Sequence, residues 1–192
     1  MLSEKQFRDR ARTELRQIGE QVASFAADRD IYWKVEREII AGNPRLAEER
    51  SAFLDMLRGA YADAMSARVL RLLDDGASLP RILAQLGDYR QLLHDKITDR
   101  EIAHDSGALR SAAEELRSVL QPHAAHHERT LPALAPVHRA LDRAVDVLSS
   151  TLKTYYWIVA DSYLPMQVQY EEDPLAIFRF PWAKLEPKGA TG

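Results

Sequence analysis

From Val137 to Tyr163 the chain places an apolar side chain at every third or fourth position: Val137, Leu141, Val145, Leu148, Leu152, Tyr155, Val159 and Tyr163. Only an α-helix gathers that spacing onto one face, and a stripe seven turns long needs neighbouring helices to cover it. The N-terminal end repeats the pattern with Phe7, Ala11, Leu15, Ile18, Val22 and Phe25. Ser3, with Gln6 three residues on, reads as the capping box that starts this helix. Gly19 inside the stripe either permits a close helix approach or is a tolerated surface glycine.

The middle of the chain is helical in the same way. Asp30 is expected to cap a second helix carrying Tyr32, Trp33, Val35, Ile39 and Ile40, with Gly42 ending it in the left-handed conformation. Asn43-Pro44 is the start signal for a long helix reaching Asp74. Leu46, Phe53, Leu57, Tyr61, Ala64, Val69 and Leu72 or Leu73 are its expected buried side. Asp74-Asp75-Gly76 closes it. Ser78 caps a short helix that ends at Gly87. Asp88, with Gln91, starts a helix to about Ala103, and Asp105-Ser106-Gly107 reads as a turn. Leu109, Ala112, Leu116 and Leu120 form another amphipathic helix, stopped by Gln121-Pro122. Thr130 caps the last helix, which Leu164-Pro165 ends. No strand pattern precedes residue 166.

The fold class is therefore all-α: an up-and-down helical bundle of four to five main helices with short connecting helices, over residues 1–165. Residues 166–192 form an extended aromatic C-terminal arm. Its Ile177, Phe178, Phe180 and Trp182 are too apolar for solvent and are expected to pack on the bundle or on a partner subunit.

Composition narrows the function. With 192 residues and 46% apolar side chains, the chain can bury one sizeable core, and its net charge of -3 argues against a broad basic nucleic-acid surface. It has no cysteine, hence no disulfide or thiolate chemistry. The first ten residues are charged and lack a signal-peptide core, and no apolar run approaches the roughly 18 residues of a membrane span. A soluble cytoplasmic protein is expected. The glycine-rich phosphate loop, the dinucleotide fingerprint and the nucleophile elbow are missing. Glu101 and His104 make one Glu-x-x-His step, where a di-metal carboxylate bundle needs two. In the cluster His123, His126 and His127, a helix would put His123 and His127 on one face, where they could bind a transition metal; otherwise the cluster belongs to a solvated linker. No metal or cofactor is assigned.

Chemistry concentrates between Asp88 and Ser106, the most charged stretch near mid-chain. On a helix, Arg100 and His104 stand one turn apart on one face, as do Arg90 and His94. A guanidinium holds a phosphate and an imidazole moves a proton near neutral pH, so the pair suits an anionic substrate. A solvated helix face with accidental neighbours has the same pattern.

The run Thr98-Asp99-Arg100-Glu101-Ile102-Ala103-His104-Asp105 resembles the motif of the HEPN superfamily of small helical bundles, its abortive-infection branch most of all. Arg71-Leu-Leu-Asp74 and Ser78-Leu-Pro-Arg-Ile-Leu83 resemble what precedes the motif there. As sequence the likeness covers residues 71 to 105, and as helix order roughly residues 30 to 165. It implies a metal-independent endoribonuclease, or a relative that kept the fold without activity as an interaction module. It also implies a homodimer with a composite RNA cleft, and a role in phage defence or a toxin–antitoxin pair with a cognate antitoxin protein. Carried over, His104 takes the acid/base place and Asp99 the polar place, and Arg100, outside the motif's own spacing, is the candidate phosphate binder. Arg90, His94, Lys96 and Arg110 are further substrate-binding candidates. The chain departs from the pattern at Thr98, which stands in the usual Arg place.

Overall fold

The computed structural model describes residues 3–43, 52–74, 78–93, 96–125, 131–164, 173 and 175–176. Among them there is no strand. Five α-helices follow in order: α1 (Glu4–Lys34), α2 (Ala52–Leu73), α3 (Leu79–Asp88), α4 (Asp99–Ala125) and α5 (Leu131–Ala160). A π-helical segment, Val35–Ile40, extends α1, and a 3-10 turn, Arg90–Leu93, follows α3.

α5 is the central helix and packs on α1, α2 and α4. Its stripe from Val137 to Val159 is buried as the spacing requires. The helix ends at Ala160, three residues before Tyr163, which is consequently exposed; Asp161 takes the left-handed position, with φ 49°. Asp161 also fixes the helix directions. Its carboxylate lies 2.6 Å from Lys96 Nζ, just before α4, and 3.8 Å from Arg8 on the first turns of α1. So α5 runs antiparallel to both. α2 starts beside the far end of α1, where Arg58 pairs with Glu36, and runs back towards Arg68 and Asp28. The order is up-and-down.

Ser3 forms the expected capping box with Gln6. Other boundaries move. α1 does not break at Asp30 but runs on to Lys34, because buried Tyr32, Glu36 and Ile40 keep its inner face occupied. Gly42 does not take a left-handed conformation. A Cβ there would lie 2.6 Å from the Glu38 carbonyl oxygen, so glycine is required for close backbone approach. Gly87 does not end α3, which continues through it to Asp88. Asp88 therefore closes one helix instead of capping the next, and Thr98 is the cap of α4. Asp105-Ser106-Gly107 is not a turn: α4 runs through it, since part-buried Ile102 and buried Leu109 lie on one stripe whose packing outweighs the roughly 1 kcal/mol cost of a helical glycine. Nor does Pro122 stop α4, which reaches Ala125.

The largest difference concerns α2. Phe53, Leu57 and Ala64, expected inside, are exposed, and the buried side is Leu54, Ala62, Met65, Val69, Leu72 and Leu73. In the arm, Leu175 is buried, and its N–H donates to the Asp173 carboxylate at 3.0 Å. Ile177, Phe178, Phe180 and Trp182 lie outside the described residues, as do Pro44, Leu46, Gly76 and Thr130. No helix of the described residues is long and apolar enough to cross a membrane.

Candidate functional site

The start of α4 is built by one local device. The Thr98 hydroxyl accepts from the Glu101 N–H at 3.2 Å, and the Glu101 carboxylate accepts from the Thr98 N–H at 2.8 Å and from its hydroxyl at 2.7 Å. This reciprocal pair satisfies two helix-end donors. The Thr98 hydroxyl, and then its N–H, holds the Glu101 carboxyl below the usual carboxylate range. Thr98 thus has a local reason to be threonine: it caps the helix, which an arginine cannot do.

The cap sets the phase of the next two turns. Arg100 and His104 come out one turn apart, both exposed, and neither makes a hydrogen bond or ion pair among the described residues. One residue on, the Asp105 carboxylate accepts from the buried Tyr155 hydroxyl at 2.9 Å. That bond ties the His104 turn to α5. Burial, and then this carboxylate, pushes the Tyr155 hydroxyl pKa up. Arg100 and His104 do not line the hollows at the N-terminus, in the α1–α2 groove, at the α1–α3 junction or on the α3–α4 side.

The other expected site residues disperse. Asp99 is ion-paired with Arg90, so the polar place and one substrate cation occupy each other. Lys96 is held by Asp161 and lies 5.9 Å from the Trp157 ring centroid, in the N-terminal hollow with Arg8. With α4 unbroken, Arg110 is six residues beyond His104, about 240° around the helix, and lines a separate hollow with Asp74 and Arg117. His94 lies outside the described residues, as do His126 and His127, and His123 falls in the last turn of α4. Among the described residues no group of three or more His, Asp and Glu side chains is placed to hold a metal ion.

A second constellation escaped the sequence reading. Where α1 passes into its π-helical turn, a hollow of about 340 Å³ opens between α1 and α2, walled by Ile31, Tyr32, Val35, Leu57, Tyr61 and Met65. The π-turn is marked by the Ala41 N–H reaching back five residues to the Glu36 carbonyl at 2.9 Å. Glu36 is buried there and receives a fork from Arg58, at 2.7 and 2.9 Å. Tyr32 stacks on Tyr61 with centroids 3.8 Å apart, and buried His138 meets the Tyr32 ring edge-on at 5.3 Å. Desolvation, and then the Glu36 charge, pushes the Tyr32 hydroxyl pKa up. The only signal in the sequence was an acid, Glu36, on the otherwise apolar inner stripe that α1 carries into its π-helical turn. Compared with protein-family models, with curated proteins and with solved structures, the chain finds no match in any of the three.

Proposed function

We propose that this chain is a HEPN-like RNA-directed bundle, a metal-independent endoribonuclease or a nuclease-derived component of phage defence or a toxin–antitoxin system. Arg100 holds the phosphate and His104 moves the proton at the ribose 2′-hydroxyl or the leaving oxygen. One observation carries the reading: Arg100 and His104 stand side by side, exposed and unengaged, on turns fixed by the Thr98–Glu101 cap and the Tyr155–Asp105 bond. A helix face is open on one side, so closing a cleft over RNA takes a facing surface. A second copy supplies it in a dimer, and a cognate antitoxin would block it. The test is cleavage of several RNAs and a tRNA pool in EDTA. Loss of cutting in His104→Ala and weakening in Arg100→Ala support the assignment. Uncut RNA, or His104→Ala cutting like wild type, rejects it.

A second reading, an interaction module without enzyme activity, is favoured by a specific observation. Asp99 is engaged by Arg90, and Thr98 brings no charge to the place where the family carries one. RNA binding without cleavage, or capture of a protein partner through the same face, is its signature.

A further inference from the structure

The hollow between α1 and α2 joins an apolar trough to one unmet polar group. Ile31, Val35, Leu57, Ala64 and Met65 give it hydrocarbon walls, and its volume of about 340 Å³ lies in the range of small-molecule sites. Its charges are committed to one another. Arg58 forks onto Glu36, and Arg68 is held by Asp28 and by the Ser24 hydroxyl at 2.9 Å. A charged ligand would shed its water against charges already paired. Tyr32 is the exception. It is 6% exposed, and its hydroxyl meets no hydrogen-bond partner among the described residues. A buried hydroxyl left in that state weakens the fold that holds it. Desolvation keeps it protonated, so it stands ready as a donor. The charge of the neighbouring Glu36 carboxylate is felt at this hydroxyl, but the geometry between the two is not that of a hydrogen bond. The Arg58 fork takes one lone pair on each Glu36 oxygen and leaves further acceptor capacity. Glu36 itself rides on the π-helical segment, a backbone form found frequently at functional sites.

We infer that this hollow binds a neutral, mainly apolar small molecule through a single hydroxyl group, which accepts from the Tyr32 hydroxyl and donates to the Glu36 carboxylate. A hydroxyl is the neutral group that does both at one oxygen. A carbonyl would answer Tyr32 alone. A carboxylate would face Glu36 with like charge, and an ammonium would set its donors against the Tyr32 donor. The rest of the molecule needs only hydrocarbon, which Ile31, Val35, Leu57 and Met65 supply. Arg100 and His104 do not line this hollow, so the inference does not rest on the RNA reading.

2-Naphthol and 2-methylnaphthalene share a shape and differ by a hydroxyl in place of a methyl group. Equilibrium dialysis of each against three chains makes the test. Wild type should take up 2-naphthol. Tyr32→Phe keeps the ring and should weaken 2-naphthol about tenfold, the scale of one lost hydrogen bond, while leaving 2-methylnaphthalene unchanged. Ala64→Trp fills the hollow from its α2 wall and should abolish uptake of both. The first change removes an unsatisfied hydroxyl and the second sits at an exposed position, so both chains fold, which circular dichroism checks. A wild-type chain that takes up no 2-naphthol at millimolar concentration, a Tyr32→Phe chain that binds it like wild type or loses both probes alike, or an Ala64→Trp chain that still binds would each overturn the inference.

Discussion

Glu36 and Arg58 join the π-turn of α1 to α2, and the consequence of parting them can be worked out. The two side chains are 5% and 14% exposed, with forked contacts of 2.7 and 2.9 Å. These bonds hold Arg58 protonated even beyond its usual range. Glu36→Ala leaves the guanidinium part-buried with only Asp55, at 3.7 Å, to answer it. Stranding one member of a buried pair costs about 3–5 kcal/mol. Asp55 and water entering by the adjacent hollow place this case near 3 kcal/mol. For a chain of this length that is a fall of roughly 6–12 °C in Tm. Replacing both, as Glu36→Met with Arg58→Leu, removes the desolvated charges together and should return to within about 1 kcal/mol of wild type. Urea melts of the two variants decide it. A single variant that loses under about 1 kcal/mol, or a double no more stable than the single, refutes the view that the pair locks α1 to α2.

Because the folded Glu101 carboxyl titrates below its ordinary value, its stabilisation is fully present above the unfolded pKa of 4.5 and is lost as pH falls through the folded one. The gap in urea midpoint between wild type and Glu101→Gln should accordingly shrink between about pH 7 and about pH 3. Thr98→Arg exchanges the cap for a cation: it should cost about 1 kcal/mol in a thermal melt and raise RNA affinity or cleavage relative to wild type. Tyr155→Phe deletes the bond to Asp105 and should cost about 0.5–1.5 kcal/mol in the same melt, and on the RNase reading it lowers cleavage by letting the His104 turn shift.

The bundle was legible because α1 and α5 each carry one apolar stripe against polar surroundings, which fixes both the period and the phase. α2 has two stripes, Leu54-Met65-Val69 and Phe53-Leu57-Ala64. Period alone does not say which one faces the core: Phe53, Leu57 and Ala64, expected inside, face out and Leu54 and Met65 face in, while Val69, Leu72 and Leu73 are buried as expected. In α4, local signals at Asp105 and Gly107 spoke for a turn, and the stripe from Ile102 to Leu109 overrode them through contacts formed only in the folded chain. The Arg100–His104 neighbourhood was readable because it depends on helix geometry over four residues. The fates of Arg90, Lys96 and Arg110 depend on Asp99, on Asp161 and on the unbroken length of α4, none of which spacing reveals.

The antiparallel run of α5 beside α1 and α4 puts the first turns of α4 at one pole of the bundle and those of α2 at the other. Substitutions at the two poles share no contacts, so their free energies should sum. A variant silenced at His104 should therefore keep the stability that the Glu36–Arg58 pair confers, and a variant at Arg58 should leave the cap of α4 in place.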